Sequence, residues 1–114
     1  MITLQTLRKM AKRLPGCREE PSYGTPGFKA GKKLIARLHQ QEDAIVVILS
    51  SVEEQQTLIA RDPMIFYIIG HFQGYPAILV RPTISEREFF ALFEHSWRRA
   101  ANKKDIALYD VQHN

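Results

Sequence analysis

A chain of 114 residues with 45% hydrophobic and 25% charged side chains is long enough for one packed core and too apolar to stay disordered. Sixteen Lys and Arg against twelve Asp and Glu give a net charge of +4, which suits an anionic partner without requiring one. The single Cys17 excludes an intramolecular disulfide and a multi-cysteine metal site, the apolar runs Ala44 to Leu49 and Met64 to Ile69 are too short to span a bilayer, and the N-terminus lacks a signal-peptide core, so a cytoplasmic protein is expected.

Thr3 is placed to cap a first helix whose apolar positions Leu4, Leu7, Ala11 and Leu14 recur at helical spacing, with Ile2 and Leu7 as a hydrophobic staple. Pro15-Gly16 ends it, and Arg8, Lys9, Lys12 and Arg13 fall on its outer face, where solvation alone accounts for them. Cys17 to Pro21 reads as a short acidic edge strand. Gly24, Pro26 and Gly27 mark a turn, after which Phe28 to Ala30, a Gly31-Lys32 turn and Lys33 to Leu38 predict a β-hairpin. Strict alternation puts Leu34, Ala36 and Leu38 on one face of its second arm and Lys33, Ile35, Arg37 and His39 on the other.

Gln40 to Asp43 is a polar turn, and the β-branched run Ala44 to Leu49 predicts a central strand. Ser51-Val52-Glu53-Glu54 is a capping box that opens a helix with Leu58 and Ile59 inward, stopped at Asp62-Pro63. Met64 to Ile69 and Ala77 to Arg81 read as strands joined by the loop Gly70 to Pro76. A second capping box, Ser85 to Glu88, begins a helix with the buried stripe Phe89, Phe90, Phe93, Trp97, Ala100 and Ala101. The tail from Lys103 has weak periodicity and is expected to fray. The order and the hairpin-length connections predict one α+β domain over residues 1–104, a mainly antiparallel sheet with helices packed on one face, followed by a C-terminal tail at 105–114.

No catalytic signature emerges. No two of His39, His71, His95 and His113 stand at i, i+3 or i, i+4, so a helical metal pair is absent, and neither a metal nor another cofactor is expected. Glu19-Glu20 and Glu53-Glu54 are neighbours that cannot face one another on a helix or a strand. A Walker loop ending in Gly31-Lys32 fails at Pro26 and Lys33, and the GxxG spacing of Gly24 to Gly27 lacks the flanking helices of a KH loop.

Two groups remain. Lys29, Lys32, Lys33 and Arg37 make the hairpin a cationic wing able to neutralise phosphates, although lysines at exposed strand edges also guard against edge-to-edge pairing. His71, Tyr75 and Arg81 converge around the Gly70 to Pro76 loop, where a small anion could bind; a His71 that merely satisfies a backbone carbonyl is the plainer alternative.

The ordered set Leu14-Pro15-Gly16, Glu20, Ser22 to Phe28, Gly31-Lys32-Lys33, Ala36-Arg37-Leu38, His71, Gly74-Tyr75-Pro76, Val80-Arg81 and Ser96-Trp97-Arg98 resembles the MmcQ/YjbR-like family of small bacterial proteins over roughly residues 4 to 104. The resemblance implies a twisted antiparallel sheet similar to that of the bacterial frataxin CyaY. It also implies DNA binding by a double wing, which maps onto the Phe28 to Leu38 hairpin and the Met64 to Arg81 strand pair. Frataxins bind iron along an acidic first helix; the first helix here is basic, so iron delivery is not carried over with the fold.

Three functions follow as expectations. The first is a non-enzymatic DNA-binding or regulatory domain using Lys29, Lys32, Lys33 and Arg37. The second is a pocket for a small anionic ligand around His71, Tyr75, Arg81 and Arg37. The third is a protein-interaction module on the open face of the sheet.

Overall fold

The computed structural model describes residues 1–113. Thr3 caps α1 (Leu4–Ala11) by exchanging hydrogen bonds with Thr6, and α1 buries Leu7, Met10 and Ala11. Leu14 lies past the helix end yet is buried in the same core. Six strands follow: β1 (Arg18–Ser22), β2 (Thr25–Ala30), β3 (Lys33–Leu38), β4 (Ile45–Ile48), β5 (Phe66–Tyr67) and β6 (Ala77–Val80). They form one sheet in the order β1-β2-β3-β4-β6-β5, with every pairing antiparallel. Four helices complete the chain, α1 together with α2 (Val52–Arg61), α3 (Glu86–Ala100) and α4 (Lys103–Gln112).

The helices share one face. Phe89, Phe93 and Trp97 of α3 pack on Phe28, Ile35, Ala36, Ile45, Val47, Ile78 and Val80, joined by Leu7 and Met10 of α1, Tyr109 of α4 and the half-buried Leu58 and Ile59 of α2. Removing this much aromatic and aliphatic surface from water is the main stabilising term of the fold. The α+β class and the helices-on-one-face arrangement are therefore as expected.

The first hairpin turn lies elsewhere than expected. Tyr23 and Gly24, not Gly24 to Gly27, make the β1–β2 connection, with φ of 53° and 76° as a two-residue hairpin loop demands. Gly27 serves close packing instead: a Cβ there would stand 2.9 Å from the Glu20 carbonyl oxygen and from the Ser22 Cβ. The Gly31-Lys32 turn is where the sequence places it.

The second hairpin departs from strict alternation. Phe28 pairs with Ala36 but Lys29 pairs with Leu34, so Ile35 is an extra residue, a β-bulge. Ile35 and Ala36 both point into the helix-side core and are fully buried. Leu34 is thereby moved to the opposite face beside Lys29, and Lys33 is moved to the helix side opposite Ala30. The bulge is held from α3, where Ser96 Oγ donates to the Ile35 carbonyl (3.2 Å) and Arg99 Nη2 to the Leu34 carbonyl (2.6 Å).

Two further expectations are corrected. The strand read as Met64 to Ile69 shrinks to Phe66–Tyr67, and the segment after it folds back over the sheet through a 3₁₀ turn at Gly70–Phe72 rather than projecting as a wing. The segment expected to fray is α4, capped by Asn102 and anchored by Tyr109, whose ring centroid lies 5.0 Å from that of Trp97. Its apolar residues do not form one stripe, because Ile106 and Tyr109 face the core while Leu108 and Val111 are exposed; that is why periodicity missed it. Among the described residues no helix is long and apolar enough to cross a membrane.

Candidate functional site

The face away from the helices is concave. Val46, Leu79, Ala77 and Phe72 form a second, smaller apolar cluster there, of which Val46 and Phe72 line the concavity. Phe72 comes from the loop between β5 and β6, and that loop is pinned from α2: Gln55 Nε2, buried, lies 3.0, 2.8 and 2.8 Å from the carbonyl oxygens of Phe72, Tyr75 and Ala77. A buried amide that failed to find such acceptors would carry a desolvation cost of about 1–3 kcal/mol, so the contact fixes the loop's position as well as its fold.

Between this loop and the first two hairpins lies a cleft of about 990 Å³. Lys29 of β2, Lys32 of the hairpin tip and Arg37 of β3 supply one wall; His39, just beyond β3, and His71 and Tyr75 of the loop supply another; Tyr23 stands at the β1–β2 turn. Among the described residues, those lining the cleft include no Asp or Glu. Glu20 lies 3.9 Å from Lys29 Nζ and is also engaged by the Arg18 guanidinium. Five basic side chains thus line the cleft; among the described residues Glu20 approaches Lys29, and the Glu42 carboxylate lies close enough to His39 to act on its ring.

Local geometry orients several of these groups. His39 Nδ1 accepts from the backbone N–H of Gln41 (3.1 Å) and Glu42 (3.0 Å), which leaves the ring proton on Nε2, the donor available to a ligand. Burial, and next the neighbouring Arg37 charge, hold the His39 pKa below its ordinary value, so near neutrality the ring is uncharged. The Arg37 guanidinium lies 4.8 Å from the centre of the Tyr23 ring. His71 is exposed and stacks on Phe72 at 4.4 Å between centroids, with no hydrogen bond to a backbone carbonyl among the described residues.

The structure therefore joins groups that the sequence left in two sets. Lys29, Lys32 and Arg37 from the hairpin meet His71 and Tyr75 from the loop. Lys33 is separated from them by the bulge. Arg81 is separated too, since its guanidinium sits 4.3 Å above the Tyr67 ring, whose hydroxyl donates to Glu42 (2.9 Å). Tyr23 and His39 were not assigned to a site from sequence. An aromatic residue inside a tight turn and a histidine two positions from Arg37 on the same strand face were the signals available. No group of three or more potential metal ligands occurs among the described residues.

Comparison with known proteins decides the family. A family model named YjbR matches residues 12–99, most of the chain. The chain belongs to the YjbR family. Beyond the YjbR model, the chain is similar to uncharacterized proteins Mb2600 of Mycobacterium bovis and Rv2570 of Mycobacterium tuberculosis, each 32% identical over 68 residues, covering 59% of this chain. The chain spans about half the length of these curated relatives, 53%. A crystal structure of Deinococcus radiodurans protein DR2400, with a domain of the family DUF419, superposes with a TM-score of 0.73 at 17% identity, covering 96% of this chain and 89% of that one. That likeness establishes the shared fold. The YjbR match includes every cleft residue from Tyr23 to Tyr75.

Proposed function

We propose that this YjbR domain is a non-enzymatic binding domain whose cleft takes a small anionic ligand. The observation that carries the reading is the composition of the cleft: Lys29, Lys32, Arg37, His39 and His71 face a common space that no acidic side chain lines among the described residues. The Lys29, Lys32 and Arg37 charges gathered around one concavity repel one another, and an anion relieves that repulsion while gaining charge-assisted hydrogen bonds, with the neutral His39 ring as a further donor. The volume, about 990 Å³, is at the upper end for a small-molecule site. An interaction module presenting an apolar open face is less well supported, because Val46, Phe72, Ala77 and Leu79 are already sealed by the domain's own loop.

DNA binding by the β2–β3 hairpin is the second reading, favoured by the exposed Lys32 at its turn and by Lys29 on the cleft side of β2. The two readings differ at one residue. A wing lying along a phosphate backbone uses Lys33 as well as Lys32, whereas the cleft has no use for Lys33 on the helix side. Binding of pyrophosphate and of a duplex oligonucleotide, measured by calorimetry for the Lys32→Ala, Lys33→Ala and Arg37→Ala variants, separates them. The cleft reading expects pyrophosphate binding that Arg37→Ala weakens by about tenfold or more and Lys33→Ala leaves unchanged. Duplex binding weakened equally by Lys32→Ala and Lys33→Ala, with no pyrophosphate binding, replaces it with the wing.

A further inference from the structure

An anion site alone does not explain the rings around this cleft. Tyr23 is 78% exposed and Tyr75 is 50% exposed, and both line it. Tyr23 is the one non-glycine described residue with positive φ, a conformation where asparagine or glycine would sit with less strain, and its ring, beside the Arg37 guanidinium, stands largely open at the lip. Behind the lips, His71 and His39 pack on Phe72 with centroid separations of 4.4 and 6.3 Å, a tier of rings rather than a row of aliphatics. Gln40 and Gln41 add amide groups at the edge, able both to donate and to accept.

Ligand classes can be compared on this lining. An inorganic anion needs the cations and none of the rings. An acyl chain with an acidic head would use the half-buried Leu34, Ile48 and Ile69 of the lining but none of the rings or edge amides. A flat heterocycle carrying a phosphate uses the rings, amides and cations together: aromatic faces for stacking, amides for the ring edge, and lysine, arginine and the His39 Nε2–H for the phosphate.

We infer that the cleft recognises a nucleoside phosphate, its phosphate held by Lys29, Lys32 and Arg37 and its base stacked at the Tyr23 and Tyr75 lips; this rests on the anion-binding reading above and narrows it to a ligand class. The same chemistry is offered by a free mononucleotide and by the terminal nucleotide of a single strand, so both sources belong in the test.

Calorimetric titration of the full chain with adenosine 5′-monophosphate, adenosine, inorganic phosphate and a 5′-phosphorylated octadeoxyadenylate, for the wild type and the Tyr23→Asn, Tyr75→Ser and Arg37→Ala variants, is decisive. All three positions are on the surface or half-buried, and asparagine tolerates the φ at position 23. The expected result is a mononucleotide bound at least about tenfold more tightly than phosphate or adenosine, weakened about fivefold or more by either tyrosine substitution, while phosphate binding is unchanged by them. An octanucleotide bound more tightly than the mononucleotide, with a steep loss on raising salt, identifies a strand end as the source; equal or weaker binding identifies the free nucleotide. A mononucleotide no tighter than phosphate and indifferent to both tyrosines overturns the nucleotide inference and leaves the anion site standing. Binding of neither, or binding that Arg37→Ala leaves untouched, overturns both.

Discussion

His39 shows how much one ring nitrogen can decide. With Nδ1 accepting two backbone N–H groups, protonation there would forfeit both bonds and turn the 39–42 loop. Separately, burial first and the Arg37 charge second depress the folded-state pKa below the ordinary value of 6.5. Between those two values the unfolded chain binds more protons than the folded one, so the contribution of His39 to stability is complete above pH 6.5 and is lost as pH falls through the folded value. In His39→Asn the amide oxygen can take over the Nδ1 role. Urea unfolding at pH 7.5 should therefore place this variant within about 0.5 kcal/mol of wild type, without the His39 share of acid destabilisation, while pyrophosphate affinity drops severalfold for want of the Nε2 donor. His39→Ala, which frees both N–H groups, should cost about 1–2 kcal/mol. At this scale the sequence was a fair guide: Arg37, His71 and Tyr75 were singled out from it, and all three line the cleft.

Elements gave less away. The β3 bulge and α4 were both unreadable from periodicity, for one reason: each places consecutive or irregularly spaced apolar residues according to what a partner element offers. Ile35 and Ala36 can both face inward because Ser96 and Arg99 of α3 satisfy the carbonyls that the bulge removes from the ladder. Helix α4 exists because Tyr109 completes the lid over Trp97 and its hydroxyl donates to Glu94, with Arg98 and Asp110 paired beside it. Burial, then the Glu94 carboxylate, push the Tyr109 phenol up to about 12, so it stays protonated throughout the neutral range. Tyr109→Ala should lower the unfolding free energy by about 3–5 kcal/mol in a denaturant titration, the range for emptying a buried aromatic site. A change under 0.5 kcal/mol would mean that residues beyond 103 contribute nothing to the core, as a frayed tail would.

Across the whole molecule, the arrangement of charge matters more than its sum of +4. Ion pairs engage Arg8 with Glu19, Arg18 with Glu20 and Arg98 with Asp110, and Glu20 also approaches Lys29, whereas Lys32 and Arg37 are without a carboxylate partner among the described residues. The ligand's electrostatics should follow from this. A ligand held by the three cleft cations should lose affinity with salt at a slope, log affinity against log salt, no steeper than about −3. A duplex spread over the basic face of α1 and the hairpin together would exceed that, at about −0.9 per phosphate contacted. Titrations at 50 and 200 mM salt read the slope directly.

From the sequence alone came the α+β class, the caps at Thr3, Ser51 and Ser85, the hairpin with its Gly31-Lys32 turn and the aromatic stripe of α3, because each is dictated by near neighbours along the chain. Tertiary structure decided which cations share a space. Lys33 lies beside Lys32 in sequence and on the other side of the sheet, whereas His71 is dozens of residues from Arg37 and shares its cleft. A one-residue bulge reverses every side chain beyond it, and a loop pinned by Gln55 carries its rings across the sheet; both are settled by long-range packing and hydrogen bonding, to which local periodicity is blind.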